Sequence, residues 1–472
     1  MKAKQIFAVL TILSLALFAS MSRAAWITAI NSGNWGDTNI WDSGTVPGTN
    51  DFAEIDPGYS ITVNTNAIVQ YIIGNASFIG GTVTLAPNST LEITDSSVSG
   101  TWQLGLLDTS ASGNTVIYDN NPYYAKRQNY YNLVFNNGTN GPYDFYNGYV
   151  NTYIPAQAMT IAGDMTVTGN TKVQQGADIT ICGNLIIGTN STWDISVADL
   201  TVMSNTIITG FLIDRDGALT NALGEMETNR FLGNVTVNKS NWGWSLTDVT
   251  TWGVGGSLTN NGTIAGYAYS GISFNGTGNI VGNSFQMGTM TINGTYAIDA
   301  TITLTTNTPV VNGTVVFDIT RTNQIVLKAG TNWLWYTTNG TLNVINSGAT
   351  PAVGKSFQLF KANNYGGVYA SISFPPLPAG LVWVDNLLTS GSITVGNLVL
   401  PFITLSRTGS NLTLSWDSTN CPGYEVLALT NNAGVITNLS HSWLPTGSGT
   451  NSPFTIPINP ANPPTFFRLR NP

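Results

Sequence analysis

Charge is scarce in this sequence: Asp, Glu, Lys and Arg make up 8% of its 472 residues, histidine occurs once and cysteine twice. A lone histidine, His441, cannot build a multi-histidine zinc site or a Ser-His-Asp triad without partners beside it, so it reads as a surface loop residue. Cys182 and Cys421 lie too far apart in the chain to suggest a disulfide framework. With no histidine nearby to activate it, Cys182 reads as a small residue beside a turn rather than a reactive thiol. Clustered Lys and Arg are also missing and the net charge is −8, which excludes the electrostatic footprint of a nucleic-acid binder. Neither a Gly-x-Ser-x-Gly elbow nor a Gly-Gly-x-Gly-x-Asp calcium repeat is present. The stretch Gly348 to Ser356 imitates a phosphate loop, but five residues separate its glycines instead of four, and no strand-to-helix unit surrounds it.

Long apolar runs are limited to one, from Ile6 to Ala19, shorter than the ~20 residues that a spanning helix needs. Lys2 and Lys4 precede it and Ser22-Arg23-Ala24 follows, the order of a secretory signal peptide cleaved after Ala24. Its removal takes away three positive charges and leaves the mature chain at −11. A secreted protein follows from this, with no transmembrane segment after cleavage. Hydrophobic residues nevertheless reach 42%, so the chain buries a core and is not disordered.

Helical spacing is almost absent. Short alternating runs bounded by Gly, Asn and Asp recur instead, among them Ser60–Val63, Thr82–Leu85, Leu91–Ile93 and Thr301–Leu304, and these read as strands. Residues 158–170 align without gaps on residues 178–190, an offset of 20, and a further copy begins near Leu200. Such a period predicts stacked coils. Ile161 is then expected over Ile181 and Val167 near Ile187, with Cys182 in the slot of Ala162. The triplet Asn-Gly-Thr recurs at Asn137, Asn261, Asn275, Asn293, Asn312 and Asn339, and Asn-Gly is expected to supply positive backbone angles in tight turns. Past Pro401 the texture changes to longer strands such as Leu412–Trp416 and Phe466–Leu469, with Trp416 the expected core aromatic. The predicted fold is all-β: a right-handed parallel β-helix, or solenoid, followed by a small antiparallel β-sandwich. Its divisions are a signal peptide over 1–24, an N-terminal cap and first coils over 25–100, a solenoid over 101–400 with loop insertions near 118–153 and 211–230, and the sandwich over 401–472.

Function concentrates on insertions, and two candidate clusters lie there. Asp214 and Asp216 flank Arg215, and residues two apart on a strand share a side about 6.5–7 Å apart. Glu225 and Glu227 follow. Paired carboxylates at that separation suit inverting glycoside hydrolysis, and a cluster of them could hold calcium for a polysaccharide lyase. Asp216-Gly217 reads more simply as a surface turn, which is the preferred reading, so no catalytic residue is assigned. The second cluster is tyrosine-rich, from Tyr118 to Tyr153; Tyr143, Tyr146 and Tyr149 are candidates for stacking on sugar rings. The alternative is that these rings cover coil ends, with Tyr131 buried beside the alternating Leu133 and Phe135.

Three regions resemble large secreted β-solenoid surface proteins of environmental Gram-negative bacteria, related to the autotransporter-associated β-strand repeat proteins. The first coil is similar in Asn34-Trp35-Gly36 through Trp41, Val46-Pro47-Gly48, Asn50-Asp51, Ile55 and Gly58–Val63. Coil repeats are similar in Tyr130–Phe135, Gly163-Asp164-Met165 and Gly183-Asn184-Leu185. The terminal module is similar in Leu414-Ser415-Trp416, Gly423-Tyr424, Phe454–Ile458 and Phe466–Leu469. What the resemblance implies is a location at or outside the cell surface and roles in adhesion, matrix building or polysaccharide contact. The chain departs from true autotransporters in the segment before Phe467–Arg470, which is not a series of ~10-residue amphipathic strands. The expectation is therefore a non-enzymatic structural or adhesive surface protein whose partners are extracellular polysaccharide or other surface proteins. The alternative is a carbohydrate-binding or carbohydrate-cleaving β-helix.

Overall fold

A computed structural model describes residues 24–472 except 75–79, 95–105, 120–123, 127, 138–141, 147–157, 176–177, 196–198, 215–227, 240–243, 247–250, 267–270, 306–308, 322–323, 328–333, 339, 420–422, 431–442, 448–449, 462 and 471–472. The chain divides into two compact units, one of residues 1–349, 357–375 and 385–393, the other of 350–356, 376–384 and 394–472.

The first unit is a parallel β-solenoid of about 10 turns. Alternating apolar and polar residues let each short strand turn one face inward, but a three-residue strand cannot bury that face alone. Stacking on an equivalent strand one turn away buries it and satisfies the backbone at once. The turn made by Met159–Ile161, Met165–Val167 and Lys172–Gln175 is followed by one made by Ile179–Ile181, Leu185–Ile187 and Thr192–Ile195. Each strand pairs in parallel with its successor, Ile161 opposite Ile181, Val167 opposite Ile187 and Val173 opposite Trp193. The first two pairings and the copy at Leu200–Val202, where Ile181 meets Val202, agree with the sequence repeat.

Continued over the unit, this pairing makes sheets of 14, 11 and 8 strands. The longest runs from Asn66–Val69 to Ser371–Ser373 and is about 60 Å tall at ~4.8 Å per strand. Inward columns are mostly apolar, with a few buried polar residues such as Gln175, Thr206 and Asn260. On the 8-stranded sheet Ile161, Ile181, Val202, Phe231, Val254, Phe274, Ile292 and Val311 stack in register, all buried. Each such side chain contributes about 1.5–3 kcal/mol by leaving water. Aromatic rings fill the wider levels, with Phe231 stacked on Trp252 at 5.4 Å and Phe274 against Tyr296 at 5.0 Å. Trp35 meets Trp41 edge-on at 5.2 Å in the first level, where the indole Nε1 of Trp41 donates to Trp35 O at 3.0 Å.

The expected period of 20 residues holds only locally. Along the 14-stranded sheet, stacked residues are 17 apart from Val116 to Leu133 and 32 apart from Leu133 to Met165. They are 20 apart from Met165 to Leu185 and 29 apart from Thr206 to Val235. The strands must coincide level by level; the connections between them need not.

In the second unit Thr404–Thr408, Asn411–Ser415 and Phe454–Pro457 form one antiparallel sheet, and Leu444–Pro445, Glu425–Thr430 and Thr465–Arg470 another. The hairpin between the first two turns on Gly409, at φ 59, the positive angle that a two-residue loop requires. The sheets share a core of Leu414, Trp416 and Val426 with Leu412, Phe454, Ile456 and Phe467 packed against it. Trp416 is thus the core aromatic, 6% exposed.

Candidate functional site

Side chains that do not face the core repeat on the outside, rung after rung, and form the surface that the solenoid presents. On the 8-stranded sheet Thr160, Thr180 and Thr201 stack in one column. The same column continues through Arg230, Gly253, Ser273 and Thr291 to Val310. On the 14-stranded sheet Thr277, Thr295, Thr314, Thr341 and Ser371 stand in line, with the last two hydroxyls 3.1 Å apart. β-Branched threonine suits this position because its stiff side chain fits a pleated surface and its hydroxyl stays wet.

The corners are stitched by amides. The Asp164 N–H donates to Asn132 Oδ1 at 2.9 Å, Asn184 N–H to Asp164 Oδ1 at 2.7 Å and Asn205 N–H to Asn184 Oδ1 at 3.2 Å. Asn234 N–H continues to Asn205 Oδ1 at 3.1 Å, Ser257 N–H to Asn234 Oδ1 at 2.8 Å and Asn279 N–H to Ser257 Oγ at 3.0 Å. One ladder therefore ties seven levels together. The recurring pairs Gly163-Asp164 and Gly183-Asn184 are its signature in sequence.

The Asn-Gly-Thr triplets build a second corner, and not as the sequence suggests. Among the described residues the non-glycine positive angles fall on Asn88, Asn137, Asn170 and Asn190, so of the triplets with a described asparagine only that at Asn137 turns this way; Asn339 lies outside the described residues. Asn275, Asn293 and Asn312 instead stack: Asn293 Nδ2 donates to Asn275 Oδ1 at 2.8 Å and Asn312 Nδ2 to Asn293 Oδ1 at 2.8 Å. Gly294 lies so close to the level below that an added Cβ would sit 1.7 Å from Gly276 O. The triplet marks a corner where only glycine fits beneath an amide ladder.

Among the described residues, charged groups on this surface are few and fall in small clusters. Glu92 and Asp119 lie side by side; burial first, then the charge and hydrogen bond of Asp119, push the Glu92 carboxyl above its usual value. Asn137 Nδ2 also donates to Asp119 at 2.9 Å. Burial works against ionisation of Asp318, yet hydrogen bonds from Ser347 and Thr320 outweigh it and bring its pKa down to about 2. Arg321 pairs with Asp299.

Of the candidate acids Asp214 lies on the strand Phe211–Asp214, where its backbone takes the register position of Ile195. Asp216, Glu225 and Glu227 lie outside the described residues, as do Tyr149, His441 and Cys421. Among the described residues no group of three or more His, Cys, Asp or Glu converges to hold a metal. Tyr143 and Tyr146 fall on Pro142–Tyr146, a strand of the 11-stranded sheet, opposite Val173 and Lys126. Tyr118 and Tyr130 are core residues, 0% and 2% exposed, with hydroxyls 3.0 Å apart. Burial first, then Tyr118, pushes the Tyr130 hydroxyl well above its ordinary range. The buried ring is thus Tyr130, whereas Tyr131, expected inside, is partly exposed. Cys182 is exposed and its N–H donates to Ile161 O just as that of Ala162 donates to Tyr130 O, both at 2.8 Å, which agrees with the shared slot. Among the described residues no helix is long and apolar enough to cross a membrane.

No protein-family model, curated protein or solved structure matches this chain.

Proposed function

We propose that this chain is a non-enzymatic structural or adhesive protein working outside a Gram-negative cell or on its surface, and that the solenoid is a stiff element displaying neutral hydroxyl and amide side chains. The observation that carries this reading is the 14-stranded stack, which presents an outward hydroxyl column of Thr277, Thr295, Thr314, Thr341 and Ser371 and whose corners are tied level to level by side-chain amides. Such a surface is wet, weakly charged and regular, suited to contact with glycans or with other surface proteins through many weak hydrogen bonds. The signal-peptide pattern of residues 1–24 supports export. The likeness of Trp35–Trp41, Gly163–Met165 and Gly183–Leu185 to solenoid surface proteins related to the autotransporter-associated repeats supports a place at the cell surface.

The test combines location and activity. Cells producing the tagged chain are fractionated and shaved with protease, and the purified chain is offered bacterial and algal polysaccharides with and without calcium while reducing ends and unsaturated products are followed. Surface-accessible protein that retains polysaccharide or partner cells without releasing products is the expected result. Product release that disappears in Asp214→Ala or Asp216→Ala would replace this reading with an enzymatic one, and a cytoplasmic location would end it.

A further inference from the structure

One face of the solenoid is interrupted. Four strands from Gly33–Asn34 to Leu106–Asp108 make one stack and eight from Met159–Ile161 to Val310–Val311 make another. The level between them is occupied by Gln128–Tyr131, which is not a strand. This segment meets the later stack through backbone: Tyr130 bridges Ile161, its N–H donating to Thr160 O at 3.0 Å and its O accepting from Ala162 N–H at 2.8 Å. Toward the earlier stack it is held by a side chain, Thr109 Oγ1 donating to Asn129 O at 2.8 Å. A level tied by backbone on one side and by a hydroxyl on the other leaves space, and a cavity of about 550 Å3 opens there. That lies within the ~300–1,000 Å3 of small-molecule sites.

Its lining combines two chemistries. Leu106, 53% exposed, and the partly exposed Tyr131 offer apolar surface. Asp108, Ser110, Gln128 and Asn129 supply polar atoms. The Gln128 Nε2 is buried with no hydrogen-bond partner, an arrangement that is costly unless something accepts from it. Asp108 Oδ1 accepts from Ser110 N–H at 3.0 Å, which leaves the other carboxylate oxygen for a donor.

We propose that this break in the stack is a binding site for a neutral saccharide. A pyranose ring has an apolar C–H face to lie on Tyr131 and Leu106 and a hydroxyl edge that donates to Asp108 and accepts from Gln128. A lipid-like ligand would leave Gln128 and Asp108 unsatisfied in a dry site. An anion would meet Asp108, the single charged residue among the described lining. A peptide strand is disfavoured because the position it would pair into, beside Leu106–Asp108, already holds Gln128–Tyr131. The site goes beyond the structural and adhesive reading and stands without it.

The purified full chain is titrated calorimetrically with neutral gluco-, manno-, galacto- and xylo-oligosaccharides of two to four units, with a uronate oligosaccharide and an unrelated β-strand peptide as comparisons. Saturable binding of at least one neutral series is expected, weakened about tenfold or more in Gln128→Leu and in Tyr131→Ala, the loss of one well-placed contact, and retained in Tyr131→Trp. Circular dichroism and thermal midpoints check folding; if Tyr131→Ala unfolds, Gln128→Leu and Tyr131→Trp decide. Failure of every neutral series to bind, affinity indifferent to both Gln128→Leu and Tyr131→Ala, or preference for the uronate or the peptide would overturn the proposal.

Discussion

Gly294 shows how little room single positions have. A methyl group there would press on the carbonyl of Gly276, 1.7 Å away, whereas Gly36 has nothing within 4 Å of the same added atom. Gly294→Ala is expected to lower stability by about 1–3 kcal/mol, the range of overpacked positions, and Gly36→Ala to change it by less than ~0.5 kcal/mol; paired thermal melts check both. Glu92 gives a pH signature. Its carboxyl titrates above the ordinary 4.5 in the folded chain, so the fold holds that proton to higher pH than the unfolded chain does. The associated stability is full below 4.5 and is lost as pH rises through the raised value. Asp318 has the opposite sign: its contribution is full above the ordinary 3.8 and is lost as pH falls toward about 2. Glu92→Gln should remove the upper of these two slopes and leave the lower one, and urea midpoints measured across acid to neutral pH distinguish them.

At the scale of elements, the strands were largely legible. Alternation in Ile161, Val167, Ile181 and Ile187 predicted both strand faces and register, because a one-residue slip would turn the apolar set outward. The same alternation, Val116 and Tyr118 against Leu133 and Phe135, runs through the tyrosine-rich stretch, where residue type points to an insertion and periodicity to stacked strands. Spacing of turns was not legible from one repeat, since connections carry no stacking constraint. Asn-Gly-Thr suggests local turn chemistry, although the steps of 18 and 19 from Asn275 to Asn293 and Asn312 are themselves the repeat. The saccharide cleft was illegible because it arises from the absence of pairing between levels, which no motif encodes. The amide ladder carries its own test. In Asn184→Leu the N–H of Asn205 and the hydroxyl of Ser204 lose the acceptor they share, with an expected loss of about 1–3 kcal/mol. Hydrogen exchange should accelerate first at Asn205 and its neighbouring levels.

For the whole molecule, stability is a sum over neighbouring turns rather than one shared core. The solenoid and the unit containing residues 394–472 have separate apolar cores, the latter around Leu414, Trp416 and Val426. Calorimetry should show two endotherms, with Trp416→Ala shifting only one of them, and a single transition moved as a whole would contradict this. The unequal distances between stacked residues give the solenoid a mechanical character. Force that peels it turn by turn would release slack in packets of 17 residues at one level and 32 at the next, or about 60 Å and about 110 Å of contour at ~3.4 Å per residue. Single-molecule extension should record that irregular staircase in a fixed order. A tether built this way yields in graded steps, its compliance set by loops that play no part in holding the stack together.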